Sequence, residues 1–321
     1  MALTVGSASV LTAVLYAGTK THEAWLAWSI ARHLPLNAMS RLTGSLAALT
    51  VPPWLRRPLY SAFAYVYGAD LAEADRPVEQ YASFQEFFTR RLKPNVRSVV
   101  TTGMASPVDG TVLHFGVVGS DGSLEQVKGS PFTLDSFIGP HELAHATTAA
   151  AGKQLFFCTI YLAPGDYHGV HAPVAMTIDG RRHFPGLLMP VSPVVVSLMQ
   201  SLFSVNERIV LFGRWHHGFM SVTPVGATNV GSIALTLEPD LRTNAGALRQ
   251  SFYDRMYDDD KFGTKRHVRA GDELAFFQLG STVVLVFEAP PFQFAVEQGQ
   301  KVKLGQMIGF THSAPEVLRS K

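Results

Sequence analysis

Phe277-Gln-Leu-Gly-Ser-Thr-Val-Val-Leu-Val-Phe-Glu288 is a polar break that runs straight into five consecutive apolar residues, Val283–Phe287. A short apolar run of this kind, bounded by turn residues and rich in β-branched side chains, predicts a buried strand and not an exposed, alternating one. Gly280 and Ser281 stand at its mouth, so a hydroxyl is held at the lip of a buried element. Glycine lacks a Cβ, can adopt unusual dihedrals, and leaves its carbonyl open to attack by the hydroxyl that follows. Gly-Ser-Thr equally fits a small-residue bulge entering a core strand. The rest of the chain decides between the two readings.

Nearly half of the 321 residues are hydrophobic (47%) and only 16% are charged, which predicts a folded chain with a large core and some contact with a membrane. A net charge of +2, with basic residues scattered along the chain, argues against a nucleic-acid partner. The one cysteine, Cys158, excludes an internal disulfide and a multi-cysteine metal site. Its neighbours Phe156, Phe157 and Ile160 make it a packed thiol.

Residues 1–50 are a hydrophobic targeting or membrane-associating segment. The uncharged run Leu3–Gly18 falls short of the roughly 20 residues that span a bilayer, leaving open a weak anchor, part of an uncleaved signal, or a packed helix. Trp25, Trp28, Arg32 and His33 suit an interface. Residues 51–100 form an amphipathic helical module: Pro58 suits a first helical turn, Leu59, Phe63 and Val66 recur at helical spacing, and Gly68 stops them. Ser83 to Glu86 reads as a capping box before Phe87, Phe88 and Leu92. Arg90, Arg91 and Lys93 then suit a helix C-terminus better than a lipid-binding patch.

From residue 101 to 321 the texture is β-rich, giving an α+β fold overall: a helical, apolar N-terminal module followed by a β-rich, sandwich-like domain. Strands are expected over 112–118, 156–162, 209–212, 219–222, 232–237 and 283–287, with a helix near 194–203 and an Ala, Thr and His-rich surface loop over 139–153. Residues 268–276 and 302–310 share apolar positions and a turn glycine, which predicts two hairpins holding Ser281 between them. Carrier domains of the biotinyl and lipoyl type use such hairpins, but no lysine sits at a comparable turn tip.

Two further motifs carry chemistry. In Tyr-Leu-Ala-Pro-Gly-Asp-Tyr-His-Gly-Val-His-Ala-Pro (161–173), His168 and His171 are three apart; without a completing Cys or Glu, acid-base work fits them better than metal ligation. Ser106-Pro-Val-Asp-Gly110 sets Asp109 in a tight turn before a strand, a position where Asp-Gly is commonly no more than a turn signal.

Ser-Pro-x-Asp-Gly, Asp-Tyr-His-x-x-His-x-Pro and Leu-Gly-Ser-Thr, in this order and spacing, resemble phosphatidylserine decarboxylases, which are pyruvoyl enzymes. The resemblance runs from about residue 53 to 309, through Phe84-Gln-Glu-Phe-Phe-Thr-Arg-Arg-Leu-Lys-Pro94, Arg182-His-Phe-Pro-Gly186, Asn206-Glu-Arg208 and Val225–Ile233. Arg181-Arg-His-Phe-Pro and Trp215-His-His-Gly-Phe are most similar to the mitochondrial branch, which implies the mitochondrial inner membrane. Ala275 departs from the glycine that many members carry, in what reads as the turn before the cleavage strand.

The resemblance assigns Asp109, His171 and Ser281 to a triad that acts once on its own backbone. His171 takes the Ser281 proton, Asp109 steadies the imidazolium, and the hydroxyl attacks the Gly280 carbonyl. Cleavage between Gly280 and Ser281 then yields chains 1–280 and 281–321, which stay together as a heterodimer, the second beginning with a pyruvoyl group derived from Ser281. That group forms a Schiff base with phosphatidylserine and stabilises the carbanion left by carbon dioxide, with no metal or pyridoxal cofactor. His168, expected to populate both protonation states near neutral pH, is assigned the returning proton, with carboxylate positioning or simple packing as alternatives. The implied partner is phosphatidylserine in a membrane, and a homodimer is compatible with the sequence. Two rival readings remain at this level: a pyruvoyl decarboxylase of a soluble amino acid, and a non-enzymatic β-sandwich binding module.

Overall fold

The computed structural model describes residues 35–125, 131–140, 152–199, 201–228, 232–245, 251–278 and 281–311. The interface residues Trp25, Trp28, Arg32 and His33, most of the 139–153 loop, and Gly280 lie outside them.

Three helices open the described chain: α1 (Leu36–Ala47), α2 (Pro53–Tyr67) and α3 (Phe84–Phe88). Helix α2 begins five residues before Pro58, which therefore lies inside it and not at its first turn. Pro52 and Pro53 start the helix instead, because a first-turn proline forfeits no hydrogen bond. Gly68, at φ 69°, closes it in the left-handed conformation. At α3 the Glu86 N–H donates to Ser83 Oγ at 3.1 Å, and the Glu86 carboxylate accepts from the Ala82 N–H at 2.9 Å, so the capping box forms with its return bond one residue early. Tyr60, Phe63, Tyr81, Phe87 and Phe88 make a small aromatic cluster of their own, with Tyr60 and Phe87 stacked at 4.5 Å.

The strands are β1 (Met104–Ala105), β2 (Gly110–Val117), β3 (Ser123–Glu125), β4 (Pro131–Thr133), β5 (Gln154–Leu162), β6 (Gly169–His171), β7 (Met176–Phe184), β8 (Arg208–Trp215) and β9 (Gly218–Gly226). They continue as β10 (Ile233–Leu235), β11 (Tyr253–Met256), β12 (His267–Val268), β13 (Glu273–Phe277), β14 (Ser281–Ala289), β15 (Phe292–Phe294), β16 (Lys301–Val302) and β17 (Met307–Thr311). A nine-stranded antiparallel sheet runs β11-β7-β8-β9-β14-β5-β2-β16, with β12 also on β7. Two three-stranded sheets, β1-β17-β15 and β10-β13-β6, accompany it.

The opening stretch becomes β14, which pairs along its length with β5 on one side and β9 on the other and is buried at every residue. Its five apolar side chains are each 0% exposed, and each contributes about 1.5–3 kcal/mol over the exposed state. Cys158, opposite Leu285, is buried, and burial pushes its thiol up to about 12.

Three local expectations are corrected. The 268–276 and 302–310 repeats are not hairpins: β12 pairs β7 while β13 pairs β10 and β6, and β16 pairs β2 while β17 pairs β1 and β15. Gly271 (φ 88°) and Gly305 (φ 84°) turn the chain out of one sheet and into the next. Ala275 sits not in a turn but in β13, fully buried between Leu235 and Val170. The helix near 194–203 is two short pieces, α4 being Leu134–Ile138, α5 Pro193–Leu198 and α6 Leu202–Val205. Among the strands of eight or nine residues, β7 alone has no counterpart in the sequence reading, because Asp179-Gly180 imitates a turn and forms a bulge there.

Candidate active site

The three motifs meet at one end of the large sheet. Tyr161 pairs with Thr282 on one side and Thr111 on the other, so Ser281 at the start of β14 and Asp109 just before β2 flank the C-terminal end of β5. Two strand spacings separate them, roughly 10 Å. The loop leaving β5 carries the two histidines back: the Phe277 N–H donates to the His168 carbonyl at 3.1 Å, and the His171 N–H to the Pro107 carbonyl at 2.9 Å. One segment thus ties the Asp109 turn to the strand that leads into Ser281.

Gly110 makes this junction. A Cβ there would lie well inside contact distance of the Tyr161 carbonyl oxygen. Gly110→Ala is expected to push β2 off β5 at a cost of about 1–3 kcal/mol or more, read as a lowered midpoint in urea unfolding. An unchanged midpoint would show that the two strands yield freely at this point.

The Asp109 carboxylate is buried and heavily satisfied. It accepts from Arg97 Nε at 3.1 Å and Nη2 at 2.6 Å, Lys303 Nζ at 3.1 Å and the Leu304 N–H at 2.7 Å. Burial alone would raise its pKa; the Arg97 hydrogen bond, the Leu304 N–H and the nearby cations outweigh that and hold it below the usual carboxylate range. Arg97 is itself shared with Glu73, at 2.8 Å and 2.6 Å.

The histidine tautomers follow from their partners. His171 Nδ1 lies 2.8 Å from the Gly271 carbonyl, which can only accept, so Nδ1 carries the hydrogen and Nε2 is the basic nitrogen. That Nε2 takes the Tyr167 hydroxyl at 3.0 Å. His168 is oriented in the same way: Nδ1 donates to the Asp166 carbonyl at 2.8 Å, while Nε2 is buried with no partner. Burial lowers both pKa values, that of His168 to about 3. His168 is therefore neutral in this fold, contrary to the expectation that it populates both states near neutral pH. Phe88 of α3 packs on its ring at 4.3 Å.

Ser281 Oγ is likewise buried with no hydrogen-bond partner among the described residues. Asp109, His171 and Ser281 are gathered in one region, but no direct hydrogen bond joins any two of them. Several unpaired buried atoms, among them Ser281 Oγ, Thr282 Oγ1 and His168 Nε2, stand at a junction where native proteins ordinarily satisfy every polar group. Among the described residues no group of three or more His, Cys, Asp or Glu could hold a metal ion.

Sequence reasoning missed the Arg97 and Lys303 clamp, since nothing in local spacing signals a contact across 194 residues. It passed over Tyr167, although that residue stands within the quoted motif. Arg90 was read as a helix-end cation; it is instead buried beside this site, while Arg91 pairs with Glu273 at 3.2 Å and Lys93 bonds the Ala72 carbonyl at 2.8 Å.

A model of the phosphatidylserine decarboxylase family matches residues 84–310. The chain is 40% identical to the mitochondrial phosphatidylserine decarboxylase proenzyme of Rattus norvegicus, over 88% of this chain and 74% of that one. It is 36% identical to proenzyme 1 of Arabidopsis thaliana and 35% to that of Saccharomyces cerevisiae, both mitochondrial by name, each over 86% of this chain and 72% of the relative. Matches of this extent, covering every element that builds the site, establish that the chain belongs to the phosphatidylserine decarboxylase family.

Proposed function

We infer that this chain is a self-processing carboxy-lyase that converts phosphatidylserine to phosphatidylethanolamine and carbon dioxide in the mitochondrion. The observation that carries the reading is the unpartnered, buried Ser281 hydroxyl at the mouth of β14, beside β5, whose outgoing loop leads to both histidines. A buried hydroxyl forfeits stability when it bonds to nothing, which fits a group kept for chemistry.

Ser281 Oγ attacks the Gly280 carbonyl and becomes an ester as the peptide nitrogen becomes an amine. Loss of the Ser281 Cα proton then expels the Gly280 carboxylate and leaves a dehydroalanine. Its imine tautomer takes up water and releases ammonia, leaving a ketone at the head of the chain 281–321. His171 Nε2 is the base for the first step once it exchanges the Tyr167 hydroxyl for that of Ser281. Asp109 acts through space, its charge favouring the protonated ring. Both products contribute strands to the large sheet, β14 being clasped by β5 and β9, so they stay paired as a heterodimer.

The site suits a pyruvoyl group, because position 281 is dry and already holds an unpaired polar atom. Such a group supplies the electron sink that no ordinary side chain provides. The chain's own part is to exclude water, with Phe88 against His168, and to move a proton. Decarboxylation consumes one proton at the carbon that loses the carboxylate, and His168 Nε2 is the free ring nitrogen that can carry it.

The helical segment gives the lipid access. Of the large hydrophobic side chains that are exposed, Leu42, Leu46, Leu49, Trp54, Tyr65, Val66 and Tyr67 all lie in or beside α1 and α2. Trp54 is 76% exposed and Tyr65 91%. Among the described residues no helix is long and apolar enough to cross a membrane, so we assign this face to docking on a bilayer surface, specifically the mitochondrial inner membrane. The separate aromatic cluster beneath it supports setting the helical module 51–100 apart from 101–321, while α1 of the segment 1–50 touches both, with Leu36 in the main core and Ala47 in the small one. A substrate dissolved in water would leave this face without a purpose.

The test uses the purified full chain. Phosphatidylserine vesicles are expected to yield phosphatidylethanolamine and carbon dioxide, and free serine none; the reverse preference would contradict the lipid substrate. In a W54S/Y65S/V66S variant, vesicle binding is expected to fall at least about tenfold, since each buried side chain lost costs ~1–3 kcal/mol, with self-cleavage unchanged. Unaltered flotation with vesicles would place the docking face elsewhere.

A further inference from the structure

We propose that Arg90 is the residue that binds the phosphodiester of the lipid head group. Arg90 is 4% exposed, and among the described residues its one hydrogen-bonded nitrogen is Nη2, which donates to the Gly165 carbonyl at 2.8 Å. Nε and Nη1 are buried and, among the described residues, have no hydrogen-bond acceptor, the guanidinium lying over the Phe87 ring at 5.5 Å. Among the described residues no carboxylate forms an ion pair with it. The acidic groups whose charge reaches it are engaged elsewhere: Asp109 and Glu73 on Arg97, and Asp166 on the Ala163 N–H. A buried guanidinium with open donors and no counter-ion is strongly disfavoured unless an anion enters to meet it.

Its position says which anion. Arg90 follows α3, whose Phe88 rests on the His168 ring, and its bonded Gly165 begins the turn that carries His168. Arg90 and His168 are close enough that the cation disfavours protonation of the ring. The guanidinium therefore lies beside the proton-carrying His168, and the assignment rests on the decarboxylase reading above. The head group brings two anions, a carboxylate and a phosphodiester. The carboxylate surrenders its charge as carbon dioxide leaves, so a guanidinium bound to it would stabilise the ground state more than the transition state and slow the reaction. The phosphodiester keeps its charge throughout, and its non-bridging oxygens can accept from Nε–H and Nη1–H together. Bringing that charge beside Arg90 also offsets the cation's hold on His168, which eases protonation of Nε2 when substrate is bound.

The experiment uses cleaved enzyme and a short-chain phosphatidylserine in detergent micelles. In R90Q, self-cleavage is expected to proceed as in the wild type, KM to rise tenfold or more, and kcat to change several-fold at most. R90K, which keeps the charge but loses the planar fork, is expected to recover part of KM. Glycerophosphoethanolamine, a phosphodiester without a carboxylate, should inhibit the wild type competitively and lose potency in R90Q in proportion to KM. An unchanged KM and inhibition constant in cleaved R90Q would overturn the assignment, and a fall in kcat alone would move Arg90 to the carboxylate. If R90Q does not fold, a crystal structure of the S281A precursor with glycerophosphoethanolamine decides: phosphodiester oxygens within hydrogen-bond distance of Arg90 support the proposal, and their absence there refutes it. Wild-type turnover in the same assay tests the decarboxylase reading separately.

Discussion

Ser281→Ala is expected to yield a single uncut chain of 35.0 kDa with no decarboxylase activity above background. The change removes one oxygen that bonds to none of the described residues, and β14 keeps all its ladder partners, so stability should hold or rise slightly. The chemistry fails for a separate reason: without Oγ there is no nucleophile at the scissile bond and no ester whose elimination would leave the dehydroalanine. Gel analysis and near-ultraviolet circular dichroism separate the two effects, the first showing one band and the second a native spectrum. A normally cleaved S281A chain would refute the cleavage assignment; an unfolded one would show that the hydroxyl has a structural role that the packing does not reveal.

The second large effect is a separation of the two reactions. In His168→Ala, cleavage is expected to proceed while decarboxylation falls by about 10²–10⁴, the usual worth of a positioned proton donor. The two rings differ in their partners. His171 is bonded through its backbone to the Asp109 turn, whereas His168 is packed under Phe88 with Nε2 free. Its pKa near 3 means that it enters the reaction as a base and becomes an acid only after taking up a proton, which the anionic head group favours. Equal loss of cleavage and turnover in H168A would place His168 in the self-processing machinery, and equal retention would reduce it to packing.

Much of the fold was legible because the sheet's centre has a simple signature. The apolar runs at 156–162 and 283–287 read as strands in the sequence and are the two neighbours at the heart of the large sheet. Expectations failed where local signals conflict with long-range pairing. Asp179-Gly180 has turn chemistry but lies in a nine-residue strand, where β8 and β11 supply the hydrogen bonds that a turn would otherwise make. The repeated turn glycines were correctly seen, but whether two arms pair with each other or with other strands is settled by tertiary packing that a local pattern does not encode. At the site, motif residues could be named one by one, yet the Arg97 and Lys303 clamp, the Tyr167 hydroxyl on His171, and the open donors of Arg90 became visible only in three dimensions. Burial explains that limit, because a basic residue's exposure is a property of the fold and not of its neighbours in sequence.

The central claim is that Ser281 does not persist as serine, and the intact mass of the small chain from purified protein tests it most directly. The account predicts a fragment comprising residues 281–321, lighter by one ammonia than the same peptide beginning with serine, and resistant to Edman degradation until its amino terminus is chemically unblocked. A fragment of unmodified mass, or a chain uncut between Gly280 and Ser281, would contradict it.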